Sequence, residues 1–240
     1  MTGAVTDAPA EDFRVLLARH GQRSWWNAGM RRITWAVLGL VSGKVLDVGC
    51  GPGWELGELP AGAWGVGVDL HPRRVIPSPL ARADAVRLPF PAAAFDLLLT
   101  LDLLEQREVE PAAALGEMRR VLRPGGRLLA RVPAHPWLQG PHDAFWGGAR
   151  RYRRTELAGL VAAAGFAIRR LTYANGLLFP VAATARLVAR TGLGGGEDLR
   201  PLPEFLNRLL LGILSAEARW LSARDLPVGL SLLCLAEREE

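Results

Sequence analysis

A series of short apolar runs, each ending at glycine, proline or aspartate, is the most regular feature of the middle of this sequence. Such near-continuous runs are typical of strands that are buried on both faces of a sheet. Together with two later runs of the same kind, the series predicts a sheet of seven strands. The clearest of them are expected over residues 45–48, 64–69, 95–100, 127–132, 166–172 and 229–237.

Helical apolar spacing occupies much of the remaining sequence. It predicts one or two helices before residue 42, a helix over 154–164, and two strongly apolar helices near 177–189 and 205–221. Residues 133–148 are broken by proline and glycine, so no regular element is expected there. The predicted fold class is therefore α/β. We expect a Rossmann-like, seven-stranded sheet flanked by helices, with a helical insertion before the last strand, which pairs with its predecessor as a hairpin.

The helix over 205–221 is apolar enough to resemble a membrane span. However, it contains Arg208, Glu217 and Arg219, which are costly inside a bilayer. Packing into the protein core is the favoured interpretation. An interfacial helix that reaches a lipid-linked substrate is the alternative.

Composition narrows the class of protein. The chain has 240 residues, of which 50% are apolar, and this suits one domain with a sizeable core. Its two cysteines indicate no disulfide framework, and no secretory signal is visible at Met1, so a cytoplasmic location is expected. The net charge of +5 is spread along the chain, which makes nucleic acid an unlikely partner. No residue grouping has metal-ligand spacing, so no metal is expected.

The most informative motif is the run V-L-D-V-G-C-G-P-G at residues 45–53. An apolar strand there ends in three glycines, Gly49, Gly51 and Gly53, so the backbone can approach a ligand closely. A dinucleotide site would need G-x-G-x-x-G, in which the third glycine lets the following helix pack on the strand. Trp54 occupies that position, which argues against a dinucleotide.

Further motifs follow in order. The run W-G-V-G-V-D ends in Asp69, at the end of the second strand of a βαβ unit, where a carboxylate suits ribose hydroxyls. Ala83-Asp84-Ala85, then F-D-L-L-L-T at 95–100 and a Pro-Gly-Gly turn at 124–126 complete the series. The whole series, from about residue 45 to 132, resembles the core of the class I S-adenosylmethionine-dependent methyltransferases.

This resemblance implies S-adenosyl-L-methionine as cofactor and assigns roles along the series. The backbone of the glycine loop would line the methionine and ribose end, Asp47 would contact the amino group, and Asp69 would take the ribose hydroxyls. Leu70 would pack on adenine, and Asp84 with the Ala85 amide would bind the adenine edge. The implied cofactor-binding residues are Asp47, Gly49, Cys50, Gly51, Gly53, Asp69, Leu70, Asp84, Ala85, Thr100 and Leu101, the last two bordering the sulfonium.

The resemblance also divides the single domain, residues 1–240, into parts. Residues 1–42 would form an N-terminal helical lid, 43–174 the cofactor-binding core, 175–225 the helical insertion and 226–240 the final strand. In the lid, Trp25 and Trp26 would exclude water from the cofactor, or else serve core packing. Arg31 or Arg32 would then meet the methionine carboxylate.

The acceptor side is less clearly specified. Methyltransferases of this type often carry a histidine where Gln106 stands, and glutamine cannot act as a base. The predicted catalytic residues are Asp102 and His142, because a histidine can accept a hydroxyl proton near neutral pH. His135 and Asp143 are further candidates, and removal of the proton by solvent is another.

From residue 132 onward the chain also resembles bacterial methyltransferases of polysaccharide, glycolipid and natural-product pathways. The shared patterns include V-P-A-H-P-W-L, R-R-Y-R and L-P-x-G-x-S-L, but Gly148 replaces a histidine that commonly precedes the arginines. The run 150–153 would bind an anionic substrate or form a solvated helix start.

The function predicted from both resemblances is methyl transfer to an oxygen or nitrogen of a small molecule, sugar or lipid-linked glycan. Peripheral membrane contact fits such an acceptor. The alternative is a catalytically impaired S-adenosylmethionine-binding protein with a regulatory or accessory role, because two expected histidines are replaced.

Overall fold

The computed structural model describes residues 21–72, 78–190 and 202–240. Seven strands lie within these residues: β1 (Gly43–Val48), β2 (Ala63–Asp69), β3 (Leu80–Arg82), β4 (Phe95–Leu101), β5 (Leu122–Pro133), β6 (Phe166–Ala174) and β7 (Ser231–Arg238). They form one sheet in the order β3-β2-β1-β4-β5-β7-β6.

The direction of the strands explains where a ligand site can form. Strands β1 to β5 pair in parallel, whereas β7 is antiparallel to both β5 and β6. The predicted fold class is confirmed, including the pairing of the last two strands across the insertion. Chain order reverses between β1 and β4, so the carboxyl ends of these neighbouring strands open a crevice.

The described residues contain six α-helices. They are α1 (Trp25–Leu38), α2 (Pro111–Val121), α3 (Pro141–Phe145), α4 (Arg154–Ala163), α5 (Phe179–Arg190) and α6 (Glu204–Leu221). The helices predicted over 154–164, 177–189 and 205–221 are present, with small shifts at their ends. Residues 1–20 of the predicted lid, and 191–201 of the insertion, lie outside the described part of the chain.

Two local predictions were wrong. The first two strands are not joined by a helix of the βαβ type, because the short, proline-containing connection holds a single 3₁₀ turn, Leu56–Glu58. The segment after β5, where no regular element is expected, contains the 3₁₀ turn Pro136–Leu138 and the short helix α3.

The insertion returns to the N-terminal part of the chain. Helix α6 packs on α1 so closely that a Cβ atom at Gly29 would overlap Leu214. The Trp25 amide donates to Asn207 Oδ1 at 2.8 Å, and Arg32 bonds to Ser215. Glycine at position 29 therefore sets how near the two helices approach.

Helix α6 presents two different faces. Leu214, Ala218 and Leu221 belong to the core cluster beneath α1, which fits the favoured interpretation of a core helix. Phe205 and Leu209, at its other end, are 73% and 58% exposed. Among the helices that the structure describes, none has the length and apolarity needed to cross a membrane.

Candidate functional site

The glycine loop follows β1 directly, and its backbone conformation requires glycine. Gly49, Gly51 and Gly53 have φ angles of +80°, +49° and +83°, in the left-handed region. The amides of Gly49 and Cys50 donate to Val68 O at 2.8 and 3.1 Å, which ties the loop to β2. The loop is therefore fixed at the carboxyl ends of two neighbouring strands.

Cys50 packs beneath this loop. Its Sγ atom lies 2.6 Å from the position of a Cβ atom at Gly67, so only glycine on β2 leaves room for it. Burial raises the pKa of the Cys50 thiol, and the nearby charge of Asp47 raises it further. Cys50 is therefore a protonated thiol that packs as a structural part of the loop.

A cavity of about 150 Å³ opens beside the glycine loop. Five of the predicted cofactor-binding residues line it: Asp47, Gly49, Cys50, Gly51 and Leu101. The remaining lining residues were not predicted in this role; they are Asn27, Met30, Pro52, Trp54, Glu55 and Arg131. Residues from α1, β1, β4 and β5 thus meet at the point where strand order reverses.

Asp47 is the most unusual group in this cavity. The residue is only 2% exposed, and its Oδ2 atom has no hydrogen-bond partner among the described residues. Burial raises the pKa of Asp47 well above its ordinary value, and the charges of Glu55 and Asp69 raise it further, against Arg131. A buried carboxylate oxygen without a partner indicates a place for a ligand donor.

Glu55 is a second carboxylate in the lining. Burial raises its pKa, and the nearest positive charge, on Arg131, opposes that rise. No sequence pattern around Glu55 distinguishes it from a surface glutamate of the turn that follows Trp54.

Arg131 supplies the positive charge of the cavity. It is 7% exposed and lies in β5, where its register partner is Leu101 of β4. Burial alone would lower the pKa of Arg131, but the charge and hydrogen bonds of Asp102 raise it. Arg131 interrupts the apolar run of residues 128–132, and this interruption is the available signal in the sequence.

Asp102 directly follows β4 and holds Arg131 in place. Its Oδ2 atom accepts from Nη2 of Arg131 at 2.6 Å and from Nε at 3.0 Å. Its φ angle of +56° is uncommon for a residue with a side chain. The predicted catalytic carboxylate is thus engaged by a guanidinium, and its side chain remains 41% exposed.

The other predicted cofactor residues do not line the cavity. Asp69 Oδ2 accepts from the Gly51 amide at 2.9 Å, and its Oδ1 from the His71 amide at 2.8 Å. Asp84 Oδ1 accepts from the Val86 amide at 3.1 Å, within a turn. The remaining members of this group outside the lining are Gly53, Leu70, Ala85 and Thr100, and the Thr100 hydroxyl is buried without a hydrogen-bond partner in the described part of the chain.

Helix α1 covers the cavity, but with different residues than expected. Asn27 and Met30 line it, whereas Trp25 and Trp26 pack against the apolar core. The two indole rings contact each other edge to face, with centroids 5.6 Å apart. The two tryptophans therefore hold α1 on the apolar core and do not line the cavity.

The two arginines of α1 also have partners within the protein. Arg31 donates to Glu58 Oε1 at 2.7 Å and lies 5.9 Å from the centre of the Trp54 ring. Arg32 bonds to Ser215 of the insertion. Neither of them lines the cavity in which Arg131 lies.

The acceptor-side candidates after β5 are placed differently. His142 lies in α3, and its side chain is outside what the structure describes. Asp143 is 7% exposed and pairs with Arg151, whose Nη2 donates to Oδ1 at 2.6 Å and Nε to Oδ2 at 3.0 Å. Burial alone would raise the pKa of Asp143, but Arg151 holds it below its ordinary value.

Two arginines of the run 150–153 are paired with carboxylates of the protein. Arg151 is paired internally, and Arg153 bonds to Glu156 at the start of α4. The Tyr152 hydroxyl donates to Leu104 O at 2.7 Å. Of the alternatives for this run, the structure favours a helix start.

The two positions at which related sequences carry histidine lie opposite each other. Gln106 and Gly148 form an isolated antiparallel bridge. A Cβ atom at the neighbouring Gly147 would lie 2.8 Å from Gln106 Oε1, so the glutamine side chain fills this space. The two replacements are therefore coupled in space.

Titratable residues do not gather into a metal site in the described ranges, where no group of three histidine, cysteine or acidic residues has suitable positions. The cavity instead fits the methionine end of S-adenosylmethionine. The Asp47 oxygen lacks a hydrogen donor, the glycine loop allows close approach, and carboxylates suit a cation.

Comparisons with known proteins agree with this fit. The sequence model of a family described as a methyltransferase domain matches residues 46–130. A demethylmenaquinone methyltransferase of Mycobacterium sp. (strain JLS) is 41% identical over 116 residues, which are 45% of this chain and 48% of that protein. The chain thus spans about half the length of the curated relatives it matches.

Two solved structures share the fold. One is a chain of the complex that contains the Haloferax volcanii Trm112 methyltransferase activator, with a TM-score of 0.61, 17% identity, and coverage of 99% of this chain and 100% of that one. The other is geranyl diphosphate C-methyltransferase from Streptomyces coelicolor A3(2), solved with S-adenosyl-L-homocysteine, with a TM-score of 0.57, 14% identity, and coverage of 88% and 79%. Residues 46–130 therefore match the methyltransferase-domain family, and the described chain shares its fold with these two solved structures.

Proposed function

We propose that this protein transfers the methyl group of S-adenosylmethionine to a hydroxyl oxygen of a small molecule. The observation that carries the proposal is the cavity at the ends of β1, β4 and β5. It combines a glycine loop with an unpartnered buried carboxylate, Asp47, and a buried guanidinium, Arg131.

The charges of the cavity match the two ends of an amino acid. We assign the α-ammonium group to Asp47, with Glu55 close by, because a buried carboxylate without a partner gains most from a charged donor. We assign the α-carboxylate to Arg131. This assignment replaces the expected role of Arg31 or Arg32, both of which are bonded elsewhere.

The sulfonium of the cofactor supplies an already activated methyl group. The task of the protein is to hold the donor, to exclude water and to present the acceptor in line with the carbon–sulfur bond. Met30 and Leu101 give the cavity its apolar walls. The carboxylates around Arg131 favour the cationic donor over its neutral product.

The class of acceptor is suggested by the relatives. Demethylmenaquinone methyltransferases match this chain over 45% of its length, which supports a quinone-like, ring-bearing acceptor. Sugars and lipid-linked glycans remain alternatives. The exposed Phe205 and Leu209 of α6 support weak contact with a lipid surface, from which an apolar acceptor would be drawn.

Calorimetry and a turnover assay test the proposal. We expect S-adenosylmethionine to bind and NAD not to bind, and radiolabelled methyl to reach reduced 1,4-naphthoquinone used as a probe. Binding of S-adenosylmethionine without transfer to any phenolic, quinol or sugar probe would instead support the accessory role. Absence of binding would overturn the proposal as a whole.

A further inference from the structure

Four aromatic side chains come together beyond the carboxyl end of β5. His135 stacks on Tyr173 with ring centres 5.3 Å apart and an angle of 6° between the planes. Phe179 and Trp137 lie 5.3 and 5.7 Å from the same imidazole. We call these four residues the aromatic enclosure; they come from the loop after β5, from β6 and from the first turn of α5.

The imidazole inside this enclosure has one free nitrogen. The ring donates a hydrogen bond to the backbone carbonyl of Gly229, while Nε2 is buried without a partner among the described residues. This arrangement assigns the proton to Nδ1 and leaves the Nε2 lone pair pointing into an aromatic surrounding.

The backbone is built to hold this arrangement. His135 has a φ angle of +63°, a conformation that costs energy for a residue with a side chain. A Cβ atom at Gly229 would overlap the Ala174 carbonyl oxygen, so glycine is needed there to bring its own carbonyl to the ring. Strain of this kind is typical of functional positions.

Two observations relate the enclosure to the donor cavity. His135 follows β5, whose Arg131 lines that cavity. Trp26 of α1 packs both on the core beside the cavity and on the small cluster of Leu138, Ala183 and Leu230 next to the enclosure. Helix α1 therefore contacts both the core beside the donor cavity and the cluster next to the aromatic enclosure.

Building on the proposed function, we propose that the aromatic enclosure binds a flat aromatic acceptor and that His135 Nε2 takes the proton from its hydroxyl group. The half-exposed Trp137 is the side through which the ring enters. Tyr173 and Phe179 offer it apolar faces. Nε2 of His135 is a buried hydrogen-bond acceptor without a partner among the described residues, so a ligand that brings a donor would satisfy it.

Charge near the enclosure agrees with a neutral acceptor. Burial lowers the pKa of His135, and the positive charge of Arg151 lowers it further, against the Gly229 hydrogen bond. A neutral imidazole is available near neutral pH to accept a proton. The same positive charge disfavours a cationic amine as the acceptor.

The chemical step balances without a further reactant. Nε2 takes the hydroxyl proton, an oxygen electron pair forms the bond to the methyl carbon, and the carbon–sulfur bond breaks. The products are a methyl ether, neutral S-adenosylhomocysteine and an imidazolium ion, which then releases its proton to solvent.

Binding is tested first, without turnover. We would follow the His135 ring signals by NMR while adding 1-naphthol, with naphthalene as the matched probe that lacks the hydroxyl. We expect 1-naphthol to shift the Nε2 signal and to bind at least tenfold more tightly than naphthalene. Equal binding of the two probes, or no change at His135, would overturn the proposal.

Turnover is tested with His135→Asn, because asparagine tolerates a positive φ angle and so separates chemistry from backbone strain. With 1-naphthol as acceptor, we expect kcat to fall at least 100-fold, with KM for 1-naphthol and affinity for S-adenosylmethionine nearly unchanged. Added imidazole should restore part of the activity of His135→Gly.

Wild-type kcat in His135→Asn would overturn the assignment of the base while leaving the proposed function intact. Loss of S-adenosylmethionine binding in the wild-type protein would refute the proposed function, whereas the naphthol titration would still decide the present inference.

Discussion

Buried charged residues at two places in the molecule differ in whether their polar atoms have hydrogen-bond partners. After β5, Asp143 and Arg151 are both buried and satisfy each other with two hydrogen bonds. In the donor cavity, Asp47 is equally buried but keeps an oxygen without a partner in the described chain. Because native proteins satisfy nearly all buried polar groups, the unsatisfied side indicates a ligand and the satisfied side indicates scaffold.

The largest expected effect is on the stability contributed by the buried pair of Asp143 and Arg151. Replacing Asp143 with alanine leaves Arg151 buried without its carboxylate, so we expect the free energy of unfolding to fall by about 3–5 kcal/mol. Chemical denaturation measures this change. Affinity for S-adenosylmethionine in the folded variant should equal that of the wild type; a lower affinity would place Asp143 in the donor site and break the comparison.

In the donor cavity, removal of the buried carboxylate Asp47 should lower cofactor affinity without lowering stability, the opposite of what we expect at Asp143. We expect Asp47→Asn to weaken binding of S-adenosylmethionine by about 1.5–3 kcal/mol, the scale for a hydrogen bond to a charged group. Its melting temperature without cofactor should stay equal or rise, because the amide avoids the cost of burying a charge. Calorimetry and thermal melts check both signs, and a clear loss of stability contradicts this interpretation.

The packing of α6 on α1 provides a smaller, steric test. Gly29→Ala places a methyl group against Leu214, and we expect a loss of about 1–3 kcal/mol from overpacking, together with weaker cofactor binding. Gly212→Ala, on the open face of α6, is the matched control and should gain about 0.5–1 kcal/mol. Equal behaviour of the two variants in denaturant would show that the helices do not approach as described.

The smallest expected effect concerns pH. Burial raises the pKa of Glu105 well above its ordinary value of 4.5, and the charge of Asp102 raises it further. Its contribution to stability is therefore complete below pH 4.5 and is lost as the pH rises through the folded-state pKa. Glu105→Gln has no carboxyl group to ionise at this position, so its stability should fall less as the pH rises. The difference in melting temperature between the variant and the wild type should therefore be larger at pH 8 than at pH 5.

Asp143 should show the reverse trend, which sharpens the contrast. Its pKa lies below the ordinary value of 3.8, so its stabilising contribution is present above that value and is lost as the pH falls through the folded-state pKa. An Asp143 variant that retained the acid sensitivity of the wild type would contradict the pairing with Arg151.

Local patterns predicted the fold well because each strand carries its own apolar run and each loop its own glycines. The family resemblance pointed to Asp47, Gly49, Cys50, Gly51 and Leu101, and these five residues line one cavity. Arg131 and Glu55 escaped prediction because their role depends on neighbours brought by other strands. The pairing of Asp102 with Arg131 joins residues 29 positions apart, which no spacing rule connects.

The lid shows a different limit of sequence reasoning. The large side chains of Trp25 and Trp26 suggested that these residues exclude water from the cofactor, yet Asn27 and Met30 line the cavity. Which face of a helix points inward depends on what packs on its other side. Here that partner is α6, which is far away in the sequence.

The dependence of the cavity wall on α6 limits how far this chain can be divided into independent parts. Residues 46–130 match the methyltransferase domain family, but the cavity also uses Asn27, Met30 and Arg131, and α1 is held through a hydrogen bond to Asn207, 182 positions after Trp25. A fragment limited to the matched segment would keep the glycine loop and lose two walls. The cavity is thus built from nearly the whole described chain, and replacing the insertion would change the wall that α1 contributes to it.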